Sequence, residues 1–286
     1  MSGLIKTIFL LFITYLIALA SSHNVIDTNN IPITLVCFLI TFLIHYIVFI
    51  PSFIFKTERF FDITGSITFL SVISYIFYNR NLEDFNYSGI ILLVLIGLWT
   101  LRLGLFLFYR VIKDGKDKRF DELKTNFLKF MTVWTMSGAW VFITASPAIA
   151  ALSSNKINDN SIFITIGSLL WILGFIIEVI SDRQKRKFKK KNNDGYITSG
   201  LWAYSRHPNY VGEIMLWTGI TIISFPSLEG FQLITLISPV FVYLLLTKVS
   251  GLNILEENAD KKWGKEKAYI DYKNNTPVLF PFKKII

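Results

Sequence analysis

Residues 161–194 read SIFITIGSLLWILGFIIEVISDRQKRKFKKKNND. Seventeen residues pass without a charge before Glu178, and seven of the nine positions from 183 to 191 are Lys or Arg. About 20 predominantly apolar residues cross the hydrocarbon core of a bilayer as a helix. A dense basic flank marks the cytosolic end of such a span. The stretch therefore predicts a transmembrane helix over 161–181 followed by a cytosolic basic linker.

The same pattern recurs on both sides of it. Apolar runs lie at 4–20, 33–55, 61–78, 88–109, 128–151, 161–181, 208–225 and 231–249. With the N-terminus cytosolic, the inner segments hold 26 of the 29 Lys and Arg, the outer loops hold Arg80 and Lys156, and Arg102 lies within a span. A wrong span count would destroy this asymmetry, which is the positive-inside pattern. The expected fold class is all-α: a polytopic transmembrane helix bundle of about eight spans, with both main basic loops and the C-terminus cytosolic. The first run has a second reading. Lys6, an apolar core and Ala18-Leu19-Ala20 before Ser21 match a signal peptide, and cleavage would leave seven spans.

Composition narrows the class further. Only 17% of the 286 residues are charged and 52% are hydrophobic, whereas soluble domains carry about 25% charged residues. No separate soluble domain is expected. The net charge of +9 sits beside the spans, so it argues for membrane lipids as partners and against nucleic acid. Cys37 is the single cysteine, so no intrachain disulfide can form, and His23, His45 and His207 have no metal-ligand spacing. No metal site is expected. No G-x-G-x-x-G, Walker A, G-x-S-x-G or H-E-x-x-H motif occurs.

Polar groups inside the apolar runs are costly and mark candidate function. Gly200 to Glu213 read Gly-Leu-Trp-Ala-Tyr-Ser-Arg-His-Pro-Asn-Tyr-Val-Gly-Glu. Pro208 suits the first turn of a helix, which would put Asn209 and Glu213 on one face with Tyr210 at its border. A helix N-terminus with Arg206 beside it favours an anion such as a phosphate. Glu178 and Asp182, four apart, form a second acidic pair that needs compensating cations or ligand donors. Arg102 calls for a partner inside the bundle, with Glu178 and Glu213 available. His45 is either a hydrogen-bonded packing residue or the lining of a cavity. In the tail, Glu256, Glu257, Trp263, Tyr269 and Tyr272 lie among lysines and make a candidate cytosolic lid.

The run Gly200–Glu213 resembles the signature of the steroid 5-alpha-reductase C-terminal domain family. The resemblance extends to Glu178-x-x-x-Asp182-Arg183-Gln184-Lys185, to Glu58 through Ser66, to Ser250-Gly251 with Glu256, and to Tyr269-x-x-Tyr272. With the N-terminal spans over 1–54 outside it, the resemblance implies a reductase-like membrane domain over 55–286, with its cofactor site in the C-terminal half. It implies NADPH as cofactor, surrounded by Glu178, Asp182, Arg206, His207, Asn209, Tyr210, Glu213, Tyr269 and Tyr272. The implied reaction is reduction of an activated carbon–carbon double bond in a hydrophobic lipid or steroid-like substrate. An acid must polarise the carbonyl; Tyr210 and Glu58 are the candidates, and no Gln-Glu-Leu-Pro-type motif is present. Two other readings stay open. Isoprenylcysteine and phospholipid methyltransferases share an Arg-His-Pro-x-Tyr core and a late Glu-Glu but use S-adenosylmethionine. A non-catalytic sterol-binding membrane protein would keep the pocket alone. The expected location is a multi-pass membrane protein, of the endoplasmic reticulum if the host is a eukaryote.

Overall fold

The computed structural model describes residues 3–80, 85–114, 120–155, 158–191, 195–249 and 251–280. Lys156, residues 192–194 of the basic linker and Ser250 lie outside the described residues. In chain order the helices are α1 (Gly3–Ser21), α2 (Ile33–Ile54), α3 (Phe61–Asn79), α4 (Tyr87–Asp114), α5 (Phe127–Ser153), α6 (Ser161–Lys191), α7 (Pro208–Ser224), α8 (Ser238–Leu244), α9 (Leu252–Trp263) and α10 (Lys267–Asn275). Two two-residue strands, β1 (Asp27–Thr28) and β2 (Ile31–Pro32), form a hairpin. Its turn residues Asn29 and Asn30 have φ of 52° and 61°, the left-handed pair that a tight hairpin needs. Helix makes up 81% of the described residues, so the fold is all-α.

Among the described residues, seven helical segments are long and apolar enough to cross a membrane: α1, α2, α3, Tyr87–Tyr109 of α4, α5, α6 and the run Gly230–Trp263. A bilayer leaves no water for backbone groups, so spanning segments close their hydrogen bonds internally as helices. The run at 208–225, expected as an eighth span, forms α7. Its 17 residues rise about 26 Å at ~1.5 Å per residue, and it is not among the seven.

The chain divides into two compact units, Met1–Ile164 with Ile220–Ser238, and Thr165–Gly219 with Pro239–Ile286. In the first, α5 is the central helix and packs against α1, α2 and α3. The apolar window of α5 is 89% buried, against 22% to 39% for the other six segments. Small side chains make this possible: Gly138, Ala139, Ala145, Ala148, Ala150 and Ala151 face neighbours all round. His45 is fully buried there. Its Nδ1 donates to the Thr41 carbonyl at 2.8 Å, and its Nε2 accepts from the Ser137 hydroxyl at 3.1 Å. It is the hydrogen-bonded packing residue of the two alternatives. Arg102 lays its guanidinium over the Phe106 ring at 5.2 Å.

In the second unit α6 and α7 run antiparallel along a glycine seam. A Cβ on Gly174 would stand 2.6 Å from the Gly212 carbonyl oxygen, and one on Gly219 would stand 2.5 Å from that of Gly167. The paired glycines are seven residues apart on each helix, so two turns of backbone meet directly. Small residues that let backbones approach are how membrane helices associate when lipid offers no hydrophobic drive.

Candidate functional site

The seam sets the site's floor. α7 opens at Pro208, the first-turn position that suits a residue without an N–H. Gly212, one turn on, fits against α6 so closely that an added Cβ would lie 2.7 Å from the Glu178 backbone nitrogen. That contact brings Glu178, buried at 3% exposure, level with the first turns of α7. Asp182 follows one turn later on α6 and is half-buried, as are Asn209, Tyr210 and Glu213.

The loop before α7 is tied down at both ends. Gly200 has φ +67° and sits on the Gln184 amide, where a side chain would have no room and the backbone would be strained. Gln184 Oε1 accepts from the Leu201 backbone N–H at 3.0 Å, and the Trp202 indole donates to the Ser181 carbonyl at 3.1 Å. Lys185 caps the Trp202 ring at 4.9 Å. On the other side the Arg206 backbone N–H donates to the Pro277 carbonyl at 2.9 Å. The tail beyond α10 thus holds the loop from behind.

Glu256 of α9 is the hub. Its Oε2 accepts from Arg206 Nη1 at 2.5 Å and its Oε1 from His207 Nε2 at 2.8 Å. Burial, partly offset by the pull of Glu256, keeps the His207 pKa below its ordinary 6.5. A carboxylate only accepts hydrogen bonds, so the neutral ring carries its proton on Nε2. That ring lies nearly parallel to Tyr210, with centroids 5.4 Å apart and planes at 22°. The Tyr210 hydroxyl in turn stands beside Gly251, where a Cβ would come within 2.6 Å of it.

The two tail tyrosines are engaged by the protein. Tyr269 donates to Asp260 Oδ1 at 2.9 Å, and Asp260 also holds Lys273 at 2.6 Å. Tyr272 donates to the Trp202 carbonyl at 2.8 Å. Burial pushes the Tyr272 hydroxyl up to about 12; burial and the Asp260 bond push Tyr269 up as well. Tyr196 packs against Trp263, Tyr269 and Tyr272, at 5.4, 5.1 and 6.0 Å between centroids. The sequence-expected lid is a packed aromatic cluster around Tyr196.

Among the described residues, the buried side-chain atoms without a hydrogen-bond partner include Asn209 Oδ1 and Arg206 Nε. One is an acceptor and the other a charged donor. An NADPH molecule offers hydroxyl and carboxamide donors for the first and phosphate oxygens for the second, so the pair fits its chemistry.

Of the sequence-derived residues, Glu178, Asp182, Arg206, His207, Asn209, Tyr210, Glu213, Tyr269 and Tyr272 all belong to the second unit. Glu58 belongs to the first, on the turn before α3. Its buried carboxylate pairs with Lys124 at 2.8 Å, which raises the lysine's pKa. The hub role of Glu256 and the tether of Trp202 escaped sequence reasoning. Glu256 lies 49 residues from His207, and no spacing rule connects them.

A family profile described as "Protein of unknown function (DUF1295)" matches residues 48–276. The chain is also similar to "3-oxo-5-alpha-steroid 4-dehydrogenase 1" of Bos taurus, 30% identical over 118 residues, which is 41% of this chain and 40% of the relative. The Rattus norvegicus protein of the same name is 33% identical over 120 residues, 41% of this chain and 40% of the relative. The Homo sapiens protein is 39% identical over 67 residues, 23% and 26%. The match spans about two fifths of the length of the bovine and rat relatives. The resemblance to the steroid 5-alpha-reductases read from the signature is thereby borne out. No solved structure matches.

Proposed function

The chain belongs to the DUF1295 family, and on that premise we propose that it is a membrane-embedded oxidoreductase that uses NADPH to reduce an activated carbon–carbon double bond in a lipid or steroid-like substrate. The observation that carries this reading is the pair of unpartnered buried atoms, Asn209 Oδ1 and Arg206 Nε, inside the stretch that carries the family signature. The partial relatives are named as steroid dehydrogenases, which supports the redox class.

NADPH supplies the hydride. The chain's residues bind and orient it: Arg206 at a phosphate, Asn209 at a hydroxyl or the carboxamide, and Glu178, Asp182 and Glu213 at ribose hydroxyls. His207 stacks on Tyr210 and holds it. Tyr269 and Tyr272 anchor the loop and tail through the bonds they donate, and their hydroxyl oxygens keep lone pairs with which to accept from the cofactor. Tyr210 is the proton-donor candidate within the unit, and Glu58 is the second. Placing the basic segments on the cytosolic side gives the site access to soluble NADPH.

Protein purified in detergent is titrated with NADPH, NADH and S-adenosylmethionine while its melting temperature is followed. NADPH is expected to raise it, and Asn209→Ala to abolish the shift without lowering the ligand-free value, because Oδ1 contributes no protein hydrogen bond. A shift from S-adenosylmethionine alone would establish the methyltransferase reading instead. A shift from none of the three would leave the sterol-binding reading.

A further inference from the structure

α9 grips the signature loop at two points. At its N-terminal end Gly251 takes the hydroxyl end of Tyr210, with the Leu246 carbonyl oxygen 2.8 Å from where a Gly251 Cβ would be. Just over one turn on, Glu256 takes Arg206 and His207, one with each carboxylate oxygen. These are three residues of one five-residue segment, Arg206 to Tyr210, all fixed by one short helix.

The arrangement is not an ordinary surface ion pair. Exposed pairs contribute little because water screens them and the side chains must be ordered. Here the side chains of Arg206, His207 and Glu256 are only 10%, 8% and 18% exposed. Removing the carboxylate would leave a largely buried guanidinium without its counter-charge, which is costly. The guanidinium is held through Nη1, and its Nε stays buried with no protein partner. Glu256 therefore anchors one edge of the group while a donor remains to be used. His207 cannot rotate away without giving up both the 2.8 Å bond and its stack on Tyr210.

We propose that Glu256 is a positioning residue: it holds Arg206 and the His207–Tyr210 stack in the one arrangement that binds the nucleotide, acting through them and not by touching the nucleotide itself. This rests on the NADPH reading above. It adds a residue of α9 to a site otherwise built from α6, α7 and the loop between them.

The test uses full-length protein in detergent with NADPH as the probe. The dissociation constant and the ligand-free melting temperature are measured for wild type, Glu256→Gln, Glu256→Asp, Arg206→Met and the double variant Glu256→Gln/Arg206→Met. Charge-assisted hydrogen bonds of this kind correspond to about tenfold to hundredfold in affinity. Glu256→Gln is expected to weaken NADPH by that factor. Glu256→Asp, which keeps the charge on a shorter arm, should recover part of it. The double variant should bind no more weakly than the poorer single variant, because both changes remove one arrangement. If Glu256→Gln fails to fold, Glu256→Asp still decides: weakened binding at a wild-type melting temperature supports the assignment. Wild-type affinity in Glu256→Gln, or in Glu256→Asp where Glu256→Gln does not fold, with or without a lower melting temperature, would overturn it and leave Glu256 a purely structural tie. Failure of the wild-type protein to bind NADPH would overturn the functional reading itself, and this assignment with it.

Discussion

A Cβ on Gly212 would stand 2.5 Å from the carbonyl oxygen of Gly174, a separation that real side chains do not tolerate. The two helices that carry Glu178 and Asn209 are therefore in register only while both positions are glycine. Site geometry and helix packing depend on the same two residues.

Gly212→Ala should lower thermal stability by about 1–3 kcal/mol, the usual penalty for overpacking, and weaken nucleotide binding with it. Gly97 of α4 is the control. Nothing lies within 4 Å of a Cβ built there, so Gly97→Ala should leave melting temperature unchanged or slightly raised. Differential scanning of both variants in one detergent checks the pair. Equal effects at Gly97 and Gly212 would sink the seam argument.

Gly251 and Tyr210 should couple. Gly251→Ala forces the Tyr210 hydroxyl away from a 2.6 Å approach and is expected to cost about 1–3 kcal/mol. Tyr210→Phe removes the nearest of the atoms in the way, leaving the Leu246 carbonyl oxygen at 2.8 Å. In a double-mutant cycle on melting temperature, the second change should be milder in the Gly251→Ala background than in wild type. Additive effects would mean the two do not share the contact.

Glu58 has two roles to be told apart. Its bond to Lys124 at 2.8 Å predicts that Glu58→Gln and Lys124→Met each lose stability, by about 1–3 kcal/mol for a charge-assisted bond. If Glu58 also serves the chemistry, substrate-dependent NADPH oxidation should fall much further in Glu58→Gln than in Lys124→Met. Equal losses in both would confine Glu58 to tying the segment before α5 to the turn before α3.

His207 predicts a pH dependence. Its folded pKa lies below the unfolded 6.5 because burial disfavours the charged ring. Between the folded value and about 6.5, the unfolded chain binds more protons at this position than the folded chain. Stability therefore rises with pH across that window, and falls as pH drops below 6.5. His207→Gln should flatten this part of the profile. An unchanged slope between pH 5 and 7 would assign the acid sensitivity elsewhere.

Much of the fold was legible because a bilayer permits few solutions. Apolar runs near 20 residues long must be helices, and each of the eight runs is helical. About eight spans were expected; among the described residues seven segments are long and apolar enough to cross a membrane, and the run at 208–225 forms α7, a helix of 17 residues. The start of α7 was legible from Pro208 alone, since proline's missing N–H fits only one place in a helix. The polar cluster of Arg206, His207, Asn209, Tyr210 and Glu213 was visible as an anomaly beside a membrane span.

What the sequence could not assign was which of those groups the protein uses on itself. Tyr269 and Tyr272 read as cofactor residues, and the fold shows in addition that they donate to Asp260 and to the Trp202 carbonyl. Glu256 read as part of a cytosolic lid, and in the fold it gathers Arg206 and His207. Local periodicity and span length depend only on neighbours along the chain, so the sequence by itself determined the helices and the family. Hydrogen-bond partners 49 to 70 residues apart are chosen by how helices pack, and only the tertiary structure decided which polar atoms were satisfied and which, Asn209 Oδ1 and Arg206 Nε among them, were not.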